Sequence, residues 1–298
     1  MLLSYDLLAL AAAACWALGS VLAVGPARHL GSLAFNRWRL AIVASALWLF
    51  TVLAGGWQSL TPGLIGAMAL SGLIGIFIGD TALFAAMNRL GPRRTGVLFA
   101  SHAVLTPLLG FVLFAETLGG QALLGAVLTV AGVMTAVFLG RRAEETHEWE
   151  ADRGDVRLGV ALALLAALCQ AGGTLVAKPA MASGVDPVAA AAVRISTGFL
   201  LHALLLLAGV RAAQAHHPLT ATVLRQTATN GLIAVGLGMT LVLVALEHGN
   251  AGMVAILSSV SPVLVLPLLW WRLGRPPAAG AWLGALLTVL GTALILAR

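Results

Sequence analysis

Apolar residues fill the chain in runs of about twenty, the length that carries an α-helix across a ~30 Å hydrocarbon core. Ten such runs predict ten transmembrane helices, at 5–24, 34–54, 62–87, 95–115, 119–139, 157–178, 188–208, 224–247, 250–270 and 279–297. Short clusters of Gly, Pro and charge separate them, as in GPARHLGS, NRLGPRR and RLGRPP, and such clusters break helices and turn the chain. One polar stretch is longer. GRRAEETHEWEADRGDV at 140–156 has mixed charge and no apolar periodicity, and reads as a solvated linker rather than a domain.

The linker parts five runs from five, and the two sets are copies. The octapeptide GAVLTVAG at 125–132 closes the first set and GALLTVLG at 284–291 closes the second, with six of eight positions identical. Trp16 and Gly19 register with Gln170 and Gly173, and Arg39 with Arg194. Likewise Pro107 registers with Pro262, and Gly79-Asp80-Thr81 with Gly238-Met239-Thr240. The chain divides into a first five-helix repeat at 1–140, a polar linker at 141–156 and a second five-helix repeat at 157–298. An odd number of crossings makes the second repeat enter the membrane from the opposite face, so its pseudo-two-fold axis lies in the membrane plane. The expected fold is an all-α membrane protein of ten transmembrane helices, built as two inverted five-helix repeats.

Composition agrees with this pattern. Of 298 residues, 60% are hydrophobic and only 9% charged, where a soluble domain carries about 25% charged residues. Charge adds an orientation. An isoelectric point near 10.9 would suit a nucleic-acid binder, but here the arginines sit in short loops between apolar runs. Arg28, Arg89, Arg93, Arg94, Arg141, Arg142, Arg153, Arg157, Arg211, Arg225, Arg272 and Arg275 all fall on one side. The other side holds Lys178 and Arg298, with Arg194 just inside a helix. Excess positive charge on cytoplasmic loops places the arginine-rich side in the cytoplasm and both termini outside. Nucleic acid is not an expected partner. Cys15 and Cys169 lie inside apolar runs at equivalent points and read as packing residues, without a disulfide framework. The N-terminus lacks a basic leader, so its apolar run reads as a retained first span.

Several short motifs recur in order through both halves. They are CWALGS at 15–20, the arginine of NRWRLA at 36–41, SHAVLTPLLG at 101–110, Glu116 after it, and the closing octapeptide. The second half repeats most of them as VRIS at 193–196, SSVSPVLV at 258–265 and GALLTVLG. In these features the chain resembles the ten-span EamA-type exporters of the drug/metabolite transporter superfamily, over essentially its whole length. One departure stands out: the glutamate ending the fourth span is Glu116, whereas the ninth ends in Trp271-Arg272. The resemblance implies an exporter in a bacterial inner membrane, with amino acids, aromatic ones among them, as the leading substrate class.

An ionisable group inside a span costs several kcal/mol, which makes each one a candidate for function. Asp80 lies well inside the third run with Phe84 and Asn88 on its face. Met239 holds the equivalent position, so symmetric packing does not require a carboxylate. Asp80 reads as a cation or proton site, or as a buried carboxylate bonded to a neighbouring span or an arginine. His102, beside Ser101 and one turn before Thr106-Pro107, either relays protons or bonds across a helix interface. Ser258 and Ser259 precede Ser261-Pro262, where proline frees upstream carbonyls that line sites in transporters; a plain kink is the alternative.

Trp16 and Gln170 pair an aromatic face with an amide, which suits a zwitterionic or planar substrate, unless both merely pack. Arg39 and Arg194 enter a few residues into their runs and read as interface anchors. Lys178, Glu247 and His248 fall at span ends and read as interfacial. The octapeptide glycines put small residues on one helix face, which suits scaffold or dimer packing rather than a pathway.

No Walker A, HExxH or GxSxG sequence is present, so the expected protein is not an enzyme, uses no ATP directly, and needs no cofactor or metal. The pathway candidates are therefore Trp16, Asp80, Ser101, His102, Gln170, Ser258 and Ser259. The expected activity is secondary transport, exporting small metabolites, foremost amino acids, by alternating access of the two halves. An exporter of cationic drug-like compounds and a passive facilitator are the alternatives. The expected partners are a small-molecule substrate and the bilayer, and both a monomer and a homodimer stay open.

Overall fold

The computed structural model describes residues 2–139, 155–273, 276 and 278–297, so all but the last two residues of the predicted linker lie outside it. Among the described residues, nine helical segments are long and apolar enough to cross a bilayer, and His102–Phe114 is a shorter apolar helix. The helical state follows from the solvent. Hydrocarbon offers no hydrogen bonds, so each crossing must satisfy its backbone internally.

The first repeat comprises α1 (Leu2–Leu30), α2 (Ser32–Leu53), α3 (Pro62–Gly72), α4 (Gly79–Phe99), α5 (His102–Phe114) and α6 (Gly120–Leu139). The second comprises α7 (Val156–Ala182), α8 (Pro187–Leu207), α9 (Ala221–Asn230), α10 (Gly238–His248), α11 (Ala251–Ser258), α12 (Ser261–Leu273) and α13 (Ala279–Leu296). A π-helical stretch, Leu73–Ile78, joins α3 to α4, and a second one, Gly231–Leu237, joins α9 to α10 at the matching place. The caps match too. Thr61 Oγ1 accepts from Leu64 N–H at 3.4 Å to open α3, and Thr220 Oγ1 accepts from Val223 N–H at 3.3 Å to open α9.

Two details depart from the sequence reading. A loop was expected at NRLGPRR, yet the backbone stays helical until Ala100-Ser101. The chain still reverses in this region. Leu90 packs on Gly159 near the start of α7, whereas Gly110 lies beside Leu175 near its end. The second is a break inside the fourth and ninth runs: helix restarts at His102 and at Ser261, which puts Pro107 and Pro267 inside their helices and Pro262 in the first turn of α12.

The two repeats interleave rather than sit side by side. α1 packs along the π stretch Gly231–Leu237 and α10, while α7 packs along α3, the π stretch Leu73–Ile78 and α4. α2 lies against α8, α5 against α11, and α6 against α13. Symmetric bonds pin these crossings. Ser71 Oγ donates to the Gly173 carbonyl at 2.5 Å, and Asn230 Nδ2, at the matching position, donates to the Gly19 carbonyl at 2.7 Å.

The repeated octapeptides meet each other. α6 and α13 run antiparallel, with Gly125 against Gly291 and Gly132 against Gly284 and Thr288. No Cβ fits at these glycines, because it would overlap the backbone of the facing helix. The small face thus serves contact within one chain. Large apolar side chains cover the outside: Leu53 is 78% exposed, Leu207 81% and Trp271 87%, a surface that hydrocarbon solvates and water does not.

Candidate functional site between the two halves

A glycine pressed against an arginine of the other repeat marks the start of each π stretch, Gly72 just before the first and Gly231 opening the second. A Cβ on Gly72 would collide with the Arg194 backbone, and one on Gly231 would lie 3.0 Å from Arg39 Cγ. Widened π turns recur at functional sites, since they leave carbonyls open to other donors. Here Trp16 uses one: its indole N–H donates to the Ala234 carbonyl at 2.9 Å, in the middle of the second π stretch.

A polar cluster lies within the spans, in the half of the bundle that holds the start of α2 and the end of α8. Asn36 and Arg39 lie in the first two turns of α2, His202 in the last two turns of α8, and Asp80 at the start of α4. Asn36 Nδ2 donates to Asp80 Oδ2 at 3.0 Å and faces His202 Nε2 at 3.2 Å. Arg39 donates to Asn36 Oδ1 and reaches Asp80 Oδ2 at 3.5 Å. Because the Asn36 oxygen is taken by Arg39, its amide nitrogen must face the other two, and His202 Nε2 is the acceptor. The cluster joins three spans from both halves. Asn36 and His202 are fully enclosed, whereas the Asp80 side chain retains 27% exposure. Nearby, Arg37 donates to the Ala213 carbonyl at 2.6 Å.

A second tie lies at the opposite end. Glu116, just beyond α5, accepts the N–H of Ala251 at 3.2 and 2.9 Å on its two oxygens. Lys178, in the last turns of α7, stands 4.0 Å from Glu116 Oε1 and donates to the carbonyls of Leu246, at 3.1 Å, and of Gly249. His248 stacks on Tyr5 with ring centroids 5.0 Å apart. Lys178 is thus inside a network and not a free interfacial residue.

The arginines also depart from the anchoring role expected of them. The Arg39 side chain is 15% exposed and paired with Asp80. Arg194 is 3% exposed, and its Nε is buried without a partner.

The remaining candidates divide by what their polar atoms touch. Ser101, Ser258 and Ser259 turn their hydroxyls back to the carbonyls of Leu98, Ala255 and Ile256, at 2.6, 3.2 and 2.7 Å. His102 is buried beside Phe99, ring centroids 5.0 Å apart, with Nδ1 unpartnered. Gln170 is half-buried, and its amide makes no hydrogen bond among the described residues. The structure therefore brings Asp80 into a cluster and Trp16 onto a π stretch. Asn36 and His202 were not among the sequence candidates. His202 carried a signal, as a lone imidazole within LLHALLLL; Asn36 carried only its position one turn before Arg39.

Comparison with known proteins completes the picture. The EamA-like transporter family matches residues 3–138 and again 157–297, one match per repeat. No curated protein matches the chain in sequence. Several solved structures are similar, among them a crystal structure with a TM-score of 0.77 at 18% identity, over 98% of this chain and 96% of the other. That likeness shows the fold.

Proposed function

Because the chain belongs to the EamA-like transporter family, and is accordingly a multi-pass membrane transporter, we propose that it exports small metabolites, foremost amino acids, by alternating access. Its place is the inner membrane, with the arginine-rich loops in the cytoplasm and both termini outside. The carrying observation is that a carboxylate–cation pair ties the spans in each half of the bundle: Asp80 with Arg39 in one, Glu116 with Lys178 in the other. Each pair joins spans that belong to different packing partners, so breaking one opens that end while the other holds. The interleaved repeats supply the two-fold relation that lets the halves rock about a central site.

Trp16 and Gln170, midway along α1 and α7, offer that site an aromatic face and an amide. Asp80, partly exposed beside Arg39, is the group positioned to exchange its partner for a proton or a substrate cation. A flux assay in proteoliposomes tests the reading. Export-direction flux of amino acids that responds to an imposed pH gradient is the expected result. Flux of a quaternary ammonium cation without amino-acid flux would replace it with the cationic-drug reading, which the exposed Asp80 carboxylate favours. Flux indifferent to the gradient would leave a passive facilitator.

A further inference from the structure

Asn36 serves three partners, and one of them can change its demand. The amide oxygen accepts from Arg39, while the amide nitrogen donates to Asp80 Oδ2 at 3.0 Å and to His202 Nε2 at 3.2 Å. This pattern holds only while His202 Nε2 carries a lone pair. A protonated imidazole is a donor on both nitrogens, so it would meet the Asn36 amide hydrogens donor to donor. Asn36 and His202 are enclosed, and no bulk water takes up the displaced bonds.

The surroundings limit how that conflict resolves. From α2, Arg37 and Arg39 are the charged groups within electrostatic reach of His202. From the π stretch Leu73–Ile78, Phe77 meets the imidazole edge-on, with centroids 5.2 Å apart. α3 carries no ionisable residue, Glu247 and His248 of α10 lie in its last turn at the Glu116 side, and Arg211 is exposed on the turn after α8. Asp80, bonded to the same Asn36 nitrogen, is the carboxylate at hand. A further cation beside two arginines stays only if the bonds rearrange.

Two rearrangements accept the proton. The Asn36 amide can turn over, giving its oxygen to the imidazolium; that oxygen then also points at Asp80, and the amide hydrogens point at Arg39. Alternatively the imidazolium takes the Asp80 carboxylate itself. Both cost Asp80 its Asn36 donor and loosen α4 from α2. We infer that His202 takes up the coupling proton, and that Asn36 converts it into release of Asp80 from α2. The proton adds to the Nε2 lone pair and later leaves from it, with no other covalent bond made or broken. His202 touches neither Arg39 nor substrate in this scheme and acts through Asn36 as a positioning residue.

The inference rests on reading the Asp80 cluster as the coupled part of an amino-acid exporter, and the assay separates the two. Purified full-length protein in liposomes, with the membrane potential clamped by potassium and valinomycin, receives radiolabelled L-phenylalanine and a pH gradient of about one unit. One proton exchanged per molecule should concentrate phenylalanine about tenfold on the acidic side. Exchange of labelled for unlabelled phenylalanine at equal pH reports transport without net proton movement. His202→Gln keeps an acceptor for Asn36 Nδ2 but takes no proton. Exchange should remain measurable in it while accumulation falls to about onefold, the value for uncoupled transport. A residue that only packs would slow exchange and leave the final accumulation as in wild type.

Asn36→Leu has nearly the same shape, keeps the imidazole and cuts its link to Asp80. It should lose accumulation as well, and it decides the matter if His202→Gln does not fold. Wild-type accumulation in either variant overturns the inference. So does wild-type exchange without accumulation, which leaves a passive carrier of amino acids. Phenylalanine that neither exchanges nor accumulates sinks the amino-acid reading instead. The same assay with tetraethylammonium then decides for His202: gradient-driven accumulation that His202→Gln abolishes upholds it, and any other result overturns it.

Discussion

The indole N–H of Trp16 and the carbonyl of Ala234 meet at 2.9 Å, tying the first span to the π stretch of the eighth. Its symmetry mate Gln170 makes no such bond, so the two π stretches are held by different means. Trp16→Phe keeps an aromatic ring and deletes the donor. The cost should be about 1 kcal/mol of stability, read as a lower melting temperature, together with slower flux. A lowered melting point with unchanged flux would assign Trp16 to packing alone.

Asp80→Asn retains an acceptor for Asn36 Nδ2 and removes the charge facing Arg39. The variant should insert and run as a single species in size-exclusion chromatography, while flux falls by about tenfold or more and stops responding to a pH gradient, because an intramembrane ion pair has lost its carboxylate. Flux like that of wild type would remove Asp80 from the mechanism.

Glu116→Gln weakens the tie between α5, α7 and the start of α11 by discharging the carboxylate that faces Lys178 and receives the Ala251 N–H. The two native cysteines are built-in reporters: Cys15 is half-buried on α1, and Cys169 is buried on α7. Labelling of Cys169 by a membrane-impermeant maleimide applied on the Glu116 side should rise by about tenfold, the population shift that losing one charged hydrogen bond produces. Labelling at the wild-type rate would show that Glu116 does not hold that end closed.

Gly132→Ala places a methyl inside the Gly284 and Thr288 backbone of the facing helix. Overpacking of this kind costs about 1–3 kcal/mol. The melting temperature in detergent should drop and the expressed yield with it. A melting point equal to that of wild type would mean that α6 and α13 separate easily and do not form a fixed contact.

The architecture was largely legible in the sequence, because hydrocarbon length and apolar continuity decide where helices cross, and repeated motifs expose duplication directly. The loop at NRLGPRR was not, since Gly91-Pro92 carries a turn signal while the backbone stays helical through it. The π stretches were also hidden: LIGIFI and GLIAVGL are as apolar as their surroundings, and no periodicity distinguishes a π turn from an α turn. Asp80 stood out by its charge, but its partner did not, because Arg39 lies forty-one residues earlier and meets it only through tertiary packing. Arg194 illustrates the limit of local reasoning. Its place near a span end suggests snorkelling, and only the neighbouring helices reveal that it points inward.

Orientation remains a matter of arginine placement, and reporter fusions at the C-terminus settle it. A phosphatase active only outside the cytoplasm should be active there, and a fluorescent protein that matures only in the cytoplasm should stay dark. The opposite pair of results would invert the protein and exchange the faces assigned to the Asp80 and Glu116 ends.

Every span leans on the opposite repeat, so neither repeat is a folding unit alone. A half-length chain could satisfy the same faces only against a second copy inserted upside down. The duplication thus fixed in one polypeptide an assembly that otherwise demands two oppositely inserted subunits. Joining them also freed each copy from serving both roles. That freedom is what allows Asp80 in one copy to correspond to Met239 in the other, and an inherited symmetry to acquire a direction.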